Sequence, residues 1–175
     1  NNSQFVISLT EVINHSIKVY KMSKIGIYYG STTGNTQEVA EEIAKKLNVD
    51  KSDLHDVSNA DTDFSAYDVI LFGSPTLGFG DLQDDWEYYI DKVKAADLTG
   101  KKVALFVCGD SSSYSDTFGD ALAKIYEVVK DKGCQLIGQV STEGYTYDSS
   151  EAVVDGKFVG LIIDNDNESD MTDDR

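Results

Sequence analysis

Short apolar runs recurring between amphipathic segments limit what this chain can fold into more than any other feature. They read as strands at Ile25 to Tyr29, Asp53 to Val57, Val69 to Gly73, Val103 to Cys108 and Leu136 to Val140. Several are apolar on both faces, as strands covered by helices on both sides must be. Between them, Val39, Ala40, Ile43, Ala44 and Leu47 form one helical stripe. Leu82, Trp86, Tyr89, Ile90 and Val93 form a second, and Phe118, Ala121, Leu122, Ile125 and Val129 a third. The alternation predicts an α/β domain, a doubly wound five-stranded parallel sheet with helices on both faces.

The ends of the pattern are less regular. After Val140 a polar segment, Ser141 to Lys157, precedes a second apolar run, Phe158 to Ile163, and reads as an insertion splitting the last strand. The acidic stretch Asp164 to Arg175 reads as a loop. At the other end Phe5, Leu9, Val12, Ile13, Ile17 and Tyr20 recur at helical spacing, although Phe5-Val6-Ile7 also fits a strand. A helix over 4–20 is favoured, because it would lead into the first strand and cover that strand's outer face. The chain thus divides into an N-terminal extension, 1–21, and a domain, 22–175.

Thirty-one Asp and Glu against fifteen Lys and Arg give a formal charge of −16. That balance repels nucleic acid and anionic membranes and favours basic protein partners. Cys108 ends one apolar run and Cys134 begins another, without metal or redox spacing. Both read as buried small hydrophobes, so a reducing, cytoplasmic setting is expected. No run reaches the ~18 apolar residues of a membrane span, and no signal-peptide pattern opens the chain. His15 and His55 are isolated, and no nucleophile with a partnered base is visible.

One loop carries specific chemistry. Gly30-Ser31-Thr32-Thr33-Gly34-Asn35-Thr36 lies between the first strand and a helical stripe. Four hydroxyls, an amide and backbone N–H groups converge where a helix begins, so neutral donors and the helix dipole can hold a phosphate dianion. The loop has no lysine, which a triphosphate-binding GxxxxGK[ST] pattern requires, and a single phosphate monoester fits better.

Three more segments stand at related positions: Ser74-Pro75-Thr76-Leu77-Gly78-Phe79-Gly80-Asp81 running on to Trp86, Gly109-Asp110-Ser111-Ser112-Ser113-Tyr114-Ser115-Asp116, and Ser141 through Leu161. Together with the phosphate loop they resemble flavodoxins over Met22 to Arg175, and the split strand resembles the long-chain, FMN-binding subgroup. The resemblance implies strand order 2-1-3-4-5, with FMN in the crevice where strand order reverses. It also implies a low-potential one-electron carrier rather than an enzyme, shuttling between semiquinone and hydroquinone and acting as a monomer. Implied partners are basic faces of redox proteins, such as ferredoxin/flavodoxin reductases and low-potential oxidoreductases.

By the same resemblance, Ser31, Thr32, Thr33, Gly34, Asn35 and Thr36 bind the phosphate. Pro75, Thr76, Leu77, Gly78, Phe79 and Gly80 form one wall of the ring site, and Cys108, Gly109, Asp110, Tyr114, Asp116 and Phe118 the other. Tyr114 would stack on the outer flavin face and Leu77 on the inner, where many relatives carry Trp. The Gly78–Phe79 peptide would rotate to offer its carbonyl to flavin N5. Asp81, Asp84, Asp85, Glu87, Asp110 and Asp116 crowd these loops. At ~10 Å and an effective dielectric of about 20, each would disfavour an anionic hydroquinone by roughly 1.7 kcal/mol before screening.

The resemblance further suggests that residues 4–20 take the place of the family's closing helix, as in a circular permutation. Two other functions fit the fold class. An FMN-dependent NAD(P)H:quinone reductase-like enzyme needs a nicotinamide site, which the short loops do not provide. A phosphate-accepting receiver domain needs an exposed Asp ending the third strand, where this chain has Gly73-Ser74-Pro75.

Overall fold

A computed structural model describes Ile13 and residues 23–77, 79–172 and 174–175. In chain order the elements are β1 (Ile25–Tyr29), α1 (Asn35–Lys46), β2 (Leu54–Asp56), β3 (Val69–Pro75), α2 (Asp84–Ala95) and β4 (Lys102–Cys108). Then follow α3 (Asp120–Val129), β5 (Gln135–Ile137), β6 (Val140–Ser141), β7 (Val153–Val154), β8 (Lys157–Phe158), β9 (Leu161–Ile163) and α4 (Asn165–Glu168). The main sheet is parallel in order β2-β1-β3-β4-β5, as the resemblance implies.

Its outer position is shared. β5 pairs with Lys102 to Ala104 of β4, and β9 pairs with Phe106 to Cys108 of the same strand. The insertion between them folds into a small antiparallel sheet, β6-β8-β7. Its β7–β8 hairpin turns at Asp155 and Gly156, both at positive φ, the geometry that matches strand twist in a two-residue loop.

Side-chain alternation sorts the core onto two faces. Ile25, Ile27 and Tyr29 of β1, Val69 and Leu71 of β3, and Ala104 and Phe106 of β4 meet Val39, Ala40, Ile43 and Ala44 of α1. On the opposite face Tyr28, Ile70, Phe72, Leu105 and Val107 meet Trp86, Tyr89, Ile90 and Val93 of α2 and Leu122 and Ile125 of α3. These are the three stripes the spacing predicts. Gly73 is required by packing: a Cβ there would lie 2.0 Å from Cζ of Phe106.

Ile13 is helical and fully buried, and it packs into the α1 face of the sheet. The rest of the helix expected over 4–20 lies outside the described residues. The expected loop over Asp164 to Arg175 is corrected: α4 is followed by a 3-10 turn at Ser169–Met171. Asp164 caps α4 by accepting from the Asn167 N–H, an N-cap the acidic composition obscured.

Candidate cofactor site

Parallel register brings three loops to one end of the sheet. Tyr29 pairs with Gly73, and Pro75 with Cys108, so the segments leaving β1, β3 and β4 emerge side by side. Backbone bonds tie them at their roots: Gly30 N–H donates to Gly73 O (3.0 Å), Thr76 N–H to Cys108 O (2.9 Å) and Gly109 N–H to Ile163 O (2.9 Å). β1 connects to β2 on one side and neighbours β3 on the other, the reversal of strand order at which doubly wound sheets place a ligand crevice.

In the first loop, Gly34 takes the left-handed conformation (φ 98°) and leads into α1 without a side-chain cap. The Ser31 hydroxyl accepts from Gly34 N–H (3.1 Å), which closes the loop on itself. Glu38 N–H starts the helical ladder on Gly34 O, so the N–H groups of Asn35, Thr36 and Gln37 precede it. Thr32 and Thr33 are exposed, while Ser31, Gly34 and Asn35 are half-buried. Thr36 is only 1% exposed, and its Oγ1 has no hydrogen-bond partner.

Burial pushes the Cys108 thiol up to about 11. The Thr36 hydroxyl offsets part of that rise, yet the pair falls short of hydrogen-bond geometry. A buried hydroxyl without a partner is costly, and this one stands beside the unladdered N–H groups of a helix start.

The second loop repeats the pattern. Pro75, Thr76 and Leu77 are half-buried, and Thr76 Oγ1 is likewise buried and unpartnered. Leu77 and Asp81 exchange backbone bonds of 2.9 and 2.7 Å, closing a turn with Phe79 at its tip, 85% exposed. Gly80 is at φ 95°, and a Cβ there would meet the Asp120 Cβ at 2.7 Å. Asp120 is buried beneath this turn, accepts from Glu151 N–H (2.8 Å) and has its pKa raised by burial. Gly78, expected to carry the rotating peptide, lies outside the described residues.

The third loop is organised by carboxylates. Asp110 accepts from the N–H groups of Ser112 (3.1 Å) and Ser113 (2.9 Å), and its carbonyl from Tyr114 N–H (3.0 Å). Burial opposes ionisation of Asp110, but these donors, with Asn167, prevail and hold its carboxyl below the usual range. Tyr114 is 39% exposed, whereas Phe118 is buried against Tyr145, Tyr147 and Phe158. The Phe118 side chain therefore supports this loop from within the core instead of lining the crevice. Cys108, also buried, underlies it from the strand end.

Acids rim the loops, with some compensation. Asp81 pairs with Lys124 (3.3 Å), and Asp85 accepts from Gln83 Nε2 (2.7 Å). Asp84, Glu87 and Asp116 are exposed. Asp164 and Asn167 also join the third loop, which sequence spacing does not show, because their contacts with Ser111 and Asp110 span 53 and 57 positions of sequence.

These loops follow the ends of the strands that the profile of one protein family covers: the flavodoxin profile matches residues 27–175. The chain belongs to the flavodoxin family. The flavodoxin of Trichodesmium erythraeum is 45% identical over 157 residues, spanning 88% of this chain and 92% of that one. That of Synechocystis sp. is 44% identical over 154 residues, spanning 87% and 91%. Among solved structures, Fusobacterium nucleatum flavodoxin bound to flavin mononucleotide matches with a TM-score of 0.80 at 29% identity, covering 86% of this chain and 90% of that one.

Proposed function

We propose that this flavodoxin is an FMN-dependent one-electron carrier serving basic redox proteins. The observation that carries the reading is the pair of buried, unpartnered hydroxyls, Thr36 Oγ1 in the first turn of α1 and Thr76 Oγ1 in the loop after β3, which follow adjacent strands. Native proteins rarely leave buried polar atoms unmatched, so two at one sheet end fit a polar ligand there. The N–H groups of residues 35–37 and the hydroxyls of Ser31, Thr32, Thr33 and Thr36 would hold the phosphate through neutral donors at a helix start. Leu77 and the exposed ring of Tyr114 would flank the isoalloxazine, and backbone groups of residues 76–81 and 108–116 would grip its edge.

When bound, FMN supplies one-electron chemistry that no side chain of the crevice can provide. The protein tunes it through charge: Asp81, Asp84, Asp85, Glu87 and Asp116 disfavour added negative charge, which lowers the potential. The same rim favours cationic docking faces, such as those of ferredoxin/flavodoxin reductases, and gives salt-sensitive encounters. Both cysteines are free thiols, which suits a reducing, cytoplasmic setting.

Titration of the apoprotein with FMN, followed by stepwise reduction with dithionite, tests the reading. Stoichiometric uptake and reduction in two resolved one-electron steps are expected. Failure to take up FMN, or steady oxidation of NADH by the holoprotein with a quinone acceptor, would overturn it.

A further inference from the structure

Asn167 occupies an unusual place between two carboxylates. Its Nδ2 lies 2.8 Å from Asp110 Oδ1, 2.9 Å from Asp164 Oδ1 and 3.1 Å from Asp164 Oδ2. Carboxylates are acceptors, so the amide nitrogen must face them, and its two N–H bonds bridge groups that would otherwise repel. Asp164 is buried and also accepts from the N–H and hydroxyl of Ser111. Asp110 accepts from Ser112 and Ser113, and its carbonyl from Tyr114. Each N–H from Ser111 to Tyr114 thus ends on one of the two residues that Asn167 joins.

The platform carrying Asn167 is itself anchored. The Arg175 guanidinium is buried, pairs with Glu168, donates to Gly144 O (2.9 Å) and lies 3.8 Å over the Tyr145 ring. The Thr172 hydroxyl donates to Asn165 Oδ1. An anchored segment at the far end of the sequence therefore meets the third loop through the Asp164 carboxylate and the Asn167 amide.

We propose that Asn167 is a positioning residue for the flavin wall: by bridging Asp110 and Asp164 it holds residues 111–114, and with them Tyr114, in the conformation that receives the ring. The proposal rests on reading this loop as one wall of the FMN site. Because the clamp acts on the ring wall and not on the phosphate loop, its loss weakens FMN and riboflavin by the same factor.

The test compares wild type with Asn167→Ala and Asn167→Asp in two measurements. The first is amide hydrogen exchange by NMR on the apoprotein, which needs no cofactor. Exchange at Ser111 to Tyr114 should accelerate about tenfold in Asn167→Ala, as expected for losing hydrogen bonds to charged acceptors, and further in Asn167→Asp, which adds a third carboxylate. The second is the dissociation constant of each flavin, which should rise about tenfold for both. Unchanged exchange overturns the clamp. Faster exchange with unchanged flavin affinity overturns the positioning role, as does a loss confined to FMN. If wild type takes up neither flavin, the cofactor reading fails, while the exchange comparison still decides whether Asn167 orders the loop.

Discussion

Replacing Thr36 with Val should strengthen the apoprotein and weaken the holoprotein. The two side chains share branching and nearly the same shape, so helix propensity and packing change little. What changes is the hydroxyl, which is buried and unpartnered in the protein alone. An unsatisfied buried polar group costs about 1–3 kcal/mol, and removing it should recover much of that. For a domain of this size each kcal/mol moves the melting temperature by roughly 2–4 °C, so calorimetry of apo Thr36→Val should show an upward shift of a few degrees.

With FMN the sign reverses. A hydroxyl donating to a phosphate forms a charge-assisted hydrogen bond worth roughly 1.5–3 kcal/mol, a factor of about 10 to 150 in dissociation constant. Riboflavin has no phosphate and should bind both proteins alike. Fluorescence titrations with the two flavins separate these effects. A lower apo melting temperature, or equal losses for FMN and riboflavin, would refute the argument that Thr36 is held in readiness for a phosphate.

Two further outcomes follow from packing and protonation. Ile13→Ala removes a fully buried side chain from the α1 face and should cost about 2–5 kcal/mol in urea denaturation; an unchanged midpoint would show that Ile13 contributes nothing to the core. His55 stacks on Tyr28 (4.6 Å), its Nε2 lies 2.6 Å from the Tyr67 hydroxyl, and burial lowers its pKa despite Asp53 and Asp61. The unfolded chain therefore takes up this proton first, so stability should fall as pH drops below about 6.5 and level off for this group once the folded ring is itself protonated. His55→Phe should lose that component of the slope between pH 7.5 and 5.5 in urea titrations, and an identical slope would refute it.

The fold was legible wherever a local pattern reported a global constraint. Strands buried on both faces, such as Val69–Pro75 and Lys102–Cys108, have few polar positions, and the stripe of each helix records the single face it buries. The candidate phosphate loop could be picked out because its donors are consecutive. Strand order came from resemblance, since periodicity carries no information on neighbours. The insertion's sheet escaped notice because strands of two residues leave no alternation to detect. Phe118 was legible as core, since its apolar spacing indicated the burial that its ring has. The Asn167 bridge and the His55–Tyr67 contact were hidden because each joins residues whose adjacency depends on the finished sheet.

The division of the outer strand has a bearing on how open the borders of the sheet are to further strand pairing. At one border of the main sheet β5 and β9 are three-residue pieces drawn from separate parts of the chain, and at the other β2 is equally short. A sheet border is a template for recruiting foreign backbone only when it offers a continuous row of open donors and acceptors. Interrupting that row leaves an apolar parallel sheet with little purchase for fibril-like growth, a safeguard built from chain threading in addition to the mutual repulsion of sixteen surplus negative charges.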